Sequence, residues 1–361
     1  VKDTLDILRS LVGFDTRNGT GDEIACVNWL AEQFSVHQPD ALIVETVARS
    51  RAKPDSAFVL AKWGDPKVVL NVHIDTVPSG EGWSADPLTL VEKDGRAYGL
   101  GTSDIKGAAA AILGALQHVK PKDVAVLFSG DEEHGSEIMP AIIARGHLHG
   151  IKRAIVCEPT SCRVGRAHRG MLAMTATFRG PGGHSSLADT LEPPLLRATE
   201  FCAKLGKYKR DHLSFGQAPF QGLCVNVGDV TSDGAYNVVP TLSTAWLSMR
   251  PPPGDDVKKR ARDVAALAST VSEDVEMDTI VAFEPFQSHD PSVFKTVFTD
   301  EPIVDLPYWT EAAMMSQAGI NTVVYGPGNL EQAHRPDEYV EIVQLEQAQA
   351  RYGAALSGAL S

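Results

Sequence analysis

The sequence predicts an α/β fold: a largely parallel sheet with helices on both faces, interrupted by an inserted α+β segment. Short apolar runs such as Val68–Val72, Val124–Phe128 and Ala154–Cys157 alternate with helical stretches, as parallel strands joined by helical crossovers do. Between about 168 and 283 the pattern changes. Leu172–Phe178 and Leu242–Met249 alternate apolar and polar residues, which marks half-buried antiparallel strands. The first pattern then returns. The expected organisation is a catalytic domain of residues 1–167 and 284–361, split by an inserted domain of residues 168–283.

Taken in order, residues 3–13 and 22–35 read as amphipathic helices, the second opening at Gly21-Asp22 with Glu23 in its first turn. Strand-like runs follow at Ala41–Val47, Phe58–Trp63 and Val68–Val72. The glycine-rich Gly99-Leu100-Gly101-Thr102-Ser103-Asp104 leads into a helix over Lys106–Val119, whose Gly-Ala-Ala-Ala-Ala-Ile-Leu stretch is helix-forming and apolar enough to be buried. Glu137–Arg145 reads as a helix. In the insertion, Glu192–Leu205 and Asp255–Val271 read as helices beside the two strands. Thr310–Ala318, Thr322–Tyr325 and a helix from about Ile342 complete the α/β pattern.

At 361 residues, with 43% hydrophobic and 22% charged content, the chain is long enough to bury a substantial core. A formal net charge of −13 argues against a nucleic-acid partner. The short run Lys258-Lys259-Arg260 is read as the solvated face of a helix. Cys26, Cys157, Cys162, Cys202 and Cys224 have no CxxC spacing and are read as reduced thiols. Val1-Lys2-Asp3-Thr4-Leu5-Asp6-Ile7-Leu8 is an amphipathic pattern without a signal peptide's apolar block. No apolar stretch is long enough for a bilayer. A cytoplasmic protein with no membrane partner is expected.

Candidate functional residues recur where the fold expects chemistry. In open α/β sheets, ligands sit beyond the carboxyl ends of the strands. His73, Asp75, Glu132, Glu133 and Glu158 fall at or just past such ends, and Asp104 and His334 lie in loops. Each residue alone has an ordinary reading: a hydrogen-bonded histidine, a helix N-cap at Asp104, an exposed acidic turn at Glu132-Glu133 with Asp131 a loop residue beside it, a surface His334. Jointly they would be costly to bury without a cation. The mixed imidazole and carboxylate set points to zinc, cobalt or manganese; the absence of finger spacings and of HExxH disfavours a structural zinc or a thermolysin-like site. If Asp104 bridges two ions, with His73 and Glu158 on one and Glu133 and His334 on the other, the centre keeps net positive charge. It would then acidify a water and polarise a carbonyl. Glu132 precedes a ligand, so its side chain is free to act as the base. Asp75, two residues from His73 in extended chain, can fix the imidazole tautomer. His184, in the flexible-looking Gly180-Pro181-Gly182-Gly183-His184-Ser185-Ser186, reads either as a turn histidine or as an oxyanion donor. His168 is a candidate for lining the cleft.

These motifs resemble the dinuclear-zinc deacylase family of acetylornithine deacetylase, succinyl-diaminopimelate desuccinylase, aminoacylase and carboxypeptidase G. The matching segments are Asn71-Val-His-Ile-Asp75-Thr-Val-Pro78, Gly99-Leu-Gly-Thr-Ser-Asp104-Ile-Lys-Gly107, Ser129-Gly-Asp-Glu-Glu133, Cys157-Glu158-Pro159, Gly182-Gly-His184-Ser185 and Ala333-His334. The resemblance implies two divalent metal ions, zinc first and cobalt next, held by His73, Asp104 and Glu158 and by Asp104, Glu133 and His334. It implies Asp75 as the orienting residue, Glu132 as the general base, and His184 as the oxyanion donor from the same or the partner subunit. A cis peptide at Asp104-Ile105 is also implied. So is a lid formed by the insertion, which closes over substrate and mediates a homodimer. Asn237 and Arg250 match positions that bind the substrate carboxylate, and Gly326-Pro327-Gly328 is expected to present the backbone amides of Gly326 and Gly328 in the cleft.

Tyr308-Trp309-Thr310-Glu311-Ala312 with Tyr325-Gly-Pro-Gly328 looks most like the acetylornithine and acetylcitrulline deacetylase branch. The implied reaction is hydrolysis of a small Nα-acetyl amino acid to acetate and the free amino acid, in arginine biosynthesis. Glu311 is a candidate for meeting a cationic or ureido end group, or for serving the metal site. The rival readings are a desuccinylase, another aminoacylase or a dipeptidase of the same family, and a non-catalytic binding protein that keeps the fold. A serine or cysteine hydrolase is disfavoured by the lack of a G-x-S-x-G elbow.

Overall fold

The computed structural model describes residues 2–19, 21–49 and 54–360; Val1, where the N-terminal amphipathic pattern begins, lies outside them. The chain divides into two compact units. The first comprises residues 1–166, 288–304 and 310–361, and the second residues 167–287 and 305–309.

The first unit is built on a twisted sheet whose strands lie in the order Ala41–Val47, Ser56–Trp63, Val124–Ser129, Val68–His73, Arg153–Val156, Asn321–Val324. The last four run parallel to one another. The first two pair antiparallel with each other, and Ser56–Trp63 pairs antiparallel with Val124–Ser129. Every residue of Val68–His73 and Val124–Ser129 is buried, because helices cover both faces and leave no solvent side to demand polar alternation. Val68, Leu70, Val72, Val126 and Phe128 belong to a core shared with Lys2–Gly13, Glu23–Val36, Lys106–Leu116 and Ile342–Ala354. On the other face lie the shorter helices Ile138–Ala144 and Ala312–Gln317. Lys106–Leu116 is buried along its whole length, as its alanine-rich composition implies: small side chains let two helices approach it at once.

The second unit carries a four-stranded antiparallel sheet in the order Asn226–Ser232, Leu242–Met249, Met171–Arg179, Glu276–Phe283. Helices Pro194–Asp211 and Val257–Ser269 cover one face, where Leu172, Ala176, Phe178, Phe201, Leu205 and Val264 form a separate core. One sequence expectation is corrected here. Arg260 is not on a solvated helix face: it is buried, donates to Asp255 Oδ2 (2.8 Å) and to the Tyr208 hydroxyl (2.9 Å), and lies over the Phe215 ring. Its charge is paired on the way in, which is how a buried arginine is tolerated.

All five cysteines are free. Among the described residues no helix is long and apolar enough to cross a membrane.

Candidate metal centre

Strand ends and their loops converge in the first unit. Val68–His73 delivers His73 at its last position, and Glu158 follows Arg153–Val156 on the neighbouring parallel strand. Glu132 and Glu133 occupy a 3₁₀ turn, Glu132–His134, just beyond Val124–Ser129. Asp104 ends the glycine-rich loop, and its peptide bond to Ile105 is cis. His73 Nε2 lies 3.3 Å from Asp104 Oδ1 and 3.9 Å from Glu158 Oε2. His334 Nε2 lies 3.2 Å from Asp104 Oδ2 and 2.7 Å from Glu133 Oε1. Two trios result, His73–Asp104–Glu158 and Asp104–Glu133–His334, with Asp104 common to both.

The His73 tautomer is set by its own strand. Its Nδ1–H donates to the Asp75 carbonyl oxygen at 3.1 Å, leaving the Nε2 lone pair toward Asp104 and Glu158. The Asp75 carboxylate stands 3.5 Å from Nδ1 and has further work. It accepts the backbone N–H groups of Glu132 and Glu133 and the Asn18 amide, each at 3.0 Å. Asp75 thus ties the His73 strand to the turn that carries the two glutamates.

Electrostatics set this cluster apart from an ordinary polar surface. Burial pushes the Glu132 and Glu158 carboxyls well above the usual carboxylate range; Glu158 adds to the effect on Glu132, and Asp104 to that on Glu158. Burial also raises Glu133, and Asp104 adds to it. Burial opposes the charge of His73, yet its hydrogen bonds to Asp104 and Asp75 carry it well above the usual histidine value. Hydrogen bonds to Asp104 and Glu133 raise His334 to about 10. Carboxylates crowded in low dielectric, facing two imidazoles, form a donor set that needs cations to be stable in its ionised form. The residues present therefore fit divalent metals.

Several supporting contacts appear only in the structure. Asp131 is not a plain loop residue: it is fully buried, has φ +74°, and pairs with Arg49 Nη1 at 2.7 Å. Its other oxygen accepts the Glu137 N–H at 2.7 Å. Glu23 lies 3.8 Å from the same guanidinium nitrogen, so a buried ionic group braces the start of the Glu132 turn. Breaking such a pair from one side costs about 3–5 kcal/mol. Glu311 is 1% exposed and accepts the Asn71 amide at 3.0 Å; burial pushes it up to about 7. Inside the fold it accepts from the strand that carries His73. No local pattern announces these partners, because each pairing joins segments far apart in sequence.

The glycine loop near the C-terminus differs from expectation. The Gly326 N–H donates to Thr160 Oγ1 (3.1 Å) and the Gly328 N–H to Gln344 Oε1 (2.8 Å), so both amides have partners within the fold. The glycines serve close approach instead. A Cβ at Gly326 would sit 2.7 Å from the Glu158 carbonyl oxygen, and one at Gly328 2.5 Å from Ser103 Oγ.

His184, Asn237 and Arg250 lie in the second unit. His184 is in a short strand, not a free loop: Gly183–His184 pairs antiparallel with Val238–Val239, and the Ser185 N–H donates to the Asn237 carbonyl. His184 Nδ1 accepts the Ser186 N–H at 3.2 Å, which leaves Nε2 to carry the proton of the neutral ring. Arg250 follows Leu242–Met249, is partly buried, and forms no salt bridge among the described residues. His168 is fully buried against Phe286 and Trp309.

A mainly parallel sheet with this cluster beyond its strand ends is an arrangement suited to metal-dependent hydrolysis. The chain belongs to Peptidase family M20/M25/M40, whose profile matches residues 69–357. It is 33% identical to an N-acetyl-L-citrulline deacetylase of Xanthomonas campestris pv. campestris, over 95% of this chain and 94% of the relative. An acetylornithine deacetylase of Proteus mirabilis is 30% identical, over 88% and 84%. Among solved structures, an M20 family metallo-carboxypeptidase from Sulfolobus solfataricus superposes with a TM-score of 0.77 at 17% identity, covering 100% of both chains. A dinuclear metal-binding M20 peptidase of Bacillus subtilis gives 0.68 at 13% identity, over 99% of this chain and 97% of that one.

Proposed function

We propose that this chain hydrolyses the amide bond of an Nα-acetyl amino acid, acetylcitrulline or acetylornithine, to acetate and the free amino acid, as a step of arginine biosynthesis. The observation that carries the reading is near-full-length similarity to an N-acetyl-L-citrulline deacetylase. The candidate centre supplies what amide hydrolysis needs. His73, Asp104 and Glu158 would hold one divalent ion and Asp104, Glu133 and His334 the other, zinc being the first expectation and cobalt the second. Bound there, the pair supplies Lewis-acid polarisation of the acyl carbonyl and a more acidic water.

The chain's own residues do the rest. Glu132, excluded from both trios, takes a proton from the attacking water and returns it to the departing amine. Asp75 holds the turn that aims Glu132. His184, its proton on Nε2, donates to the carbonyl oxygen as that oxygen gains charge. Asn237 and Arg250 hold the α-carboxylate; a partly buried guanidinium that pairs with no carboxylate among the described residues suits that task. A homodimer formed through the second unit completes the proposal. Trp246, 44% exposed on the strand Leu242–Met249, offers apolar surface for it.

The testing experiment measures amine release from a panel of Nα-acetyl amino acids, using metal-stripped protein restored with zinc or cobalt. Restored turnover concentrated on acetylcitrulline or acetylornithine is expected. Turnover only on succinylated substrates or dipeptides would keep the chemistry and reassign the substrate. Arg250→Ala should raise KM for the free acids about 10–100-fold, the scale of a lost charged hydrogen bond, and leave the methyl esters nearly unchanged. Equal losses on acids and esters would remove Arg250 from carboxylate binding.

A further inference from the structure

The glycine-rich loop that presents Asp104 is gripped by a side chain no motif marks. Glu338 is 2% exposed. Its Oε1 accepts the N–H groups of Ser103 (2.8 Å) and Asp104 (2.9 Å), and its Oε2 accepts that of Gly101 (2.8 Å). The Glu338 carbonyl oxygen also accepts the Gly99 N–H at 2.9 Å. Next to it, the Asp337 carboxylate accepts from the Ser84 N–H (2.8 Å) and the Ser84 hydroxyl (2.7 Å). The segment from His334 to Glu338 is therefore fastened at its far end to the backbone of the Asp104 loop. At its near end, the His334 ring meets the Asp104 carboxylate.

We infer that Glu338 is a positioning residue of the candidate metal centre, fixing the backbone of Gly101–Asp104 so that one carboxylate faces both His73 and His334. The inference rests on the metal-binding reading above. A carboxylate is suited to three converging donors because it offers about four lone-pair sites and no hydrogen. A glutamine in the same place offers one acceptor oxygen and turns its NH₂ group toward an N–H. An aspartate keeps the acceptors but falls short by a methylene. Ser103 has a separate tie, its hydroxyl accepting the Asn329 N–H at 2.7 Å, whereas the Asp104 N–H goes to Glu338.

The test compares the full chain with Glu338→Gln and Glu338→Asp, each stripped by a chelator and titrated with cobalt. Calorimetry gives the affinity and visible absorption the ligand geometry. Circular dichroism and the thermal midpoint of the metal-free proteins report folding. Glu338→Gln should bind cobalt about 10–100-fold more weakly, the range for losing a residue that orients ligands. Its absorption should change while its metal-free circular dichroism matches wild type, and Glu338→Asp should fall between the two. A merely structural role would lower the metal-free midpoint and leave the cobalt spectrum as it was. If Glu338→Gln fails to fold, Glu338→Asp decides by the same readouts: weaker binding with altered absorption supports the role. Wild-type affinity and absorption in the folded variants would overturn the role of Glu338 alone. A wild-type chain that takes up no cobalt or zinc would overturn the metal reading and this role together.

Discussion

Glu132→Gln is expected to lower kcat about 10²–10⁴-fold, the usual contribution of a positioned proton carrier, while metal content and KM stay near wild type. The expectation follows from how the turn is built. Glu132 and Glu133 are adjacent, and both backbone N–H groups are held by Asp75. Glu133 is then committed to His334 at 2.7 Å. Glu132 belongs to neither trio, yet it lies close enough to Glu158 for that carboxylate to add to the upward push on its pKa. Glutamine keeps its volume and removes only the ability to take and return a proton. Metal content by emission spectrometry separates the outcomes. If metal is lost along with turnover, Glu132 is a ligand and the division of labour within the turn fails. If turnover persists, another group is the base. Glu132→Ala should behave as Glu132→Gln does, apart from the space it opens.

Much of the fold was legible because burial on two faces writes itself as continuous apolar runs, of which Val124–Phe128 is the clearest. Strand direction was not. Ala41–Val47 and Ser56–Trp63 read as ordinary α/β strands yet run antiparallel. The few residues between Trp63 and Val68 cannot hold a crossover helix, so the chain must reverse there. The apolar composition of a strand carries no sign for that. At the candidate centre, His73, Asp104, Glu133, Glu158 and His334 could be picked out because each borders a strand end or a glycine-rich loop. The pairings that support them could not. Arg49 and Asp131, Asn71 and Glu311, and Glu338 with Gly101–Asp104 are long-range pairs of polar residues. Taken singly, such residues look like solvated loop chemistry. Arg260 misled for the same reason: three consecutive basic residues say nothing of the Asp255 and Tyr208 that bury one of them.

Asp104→Asn should have the most far-reaching effect on metal, lowering the affinity of both trios by more than about 100-fold, since second-sphere losses alone reach 10–100-fold. One oxygen of Asp104 faces His73 at 3.3 Å and the other faces His334 at 3.2 Å. No substitution at this position can spare either side. Asparagine keeps the shape but loses the charge and one acceptor, and turns an NH₂ group toward one of the imidazoles. His334→Ala is the informative contrast. His334 is 48% exposed at its side chain and enters one trio only, so its removal should empty one position and leave His73–Asp104–Glu158 able to bind. Metal counted after dialysis against dilute zinc should then rank wild type above His334→Ala, and His334→Ala above Asp104→Asn. Were Asp104→Asn to retain as much metal as His334→Ala, the two trios would be independent sites, and a shared carboxylate could not be what couples them.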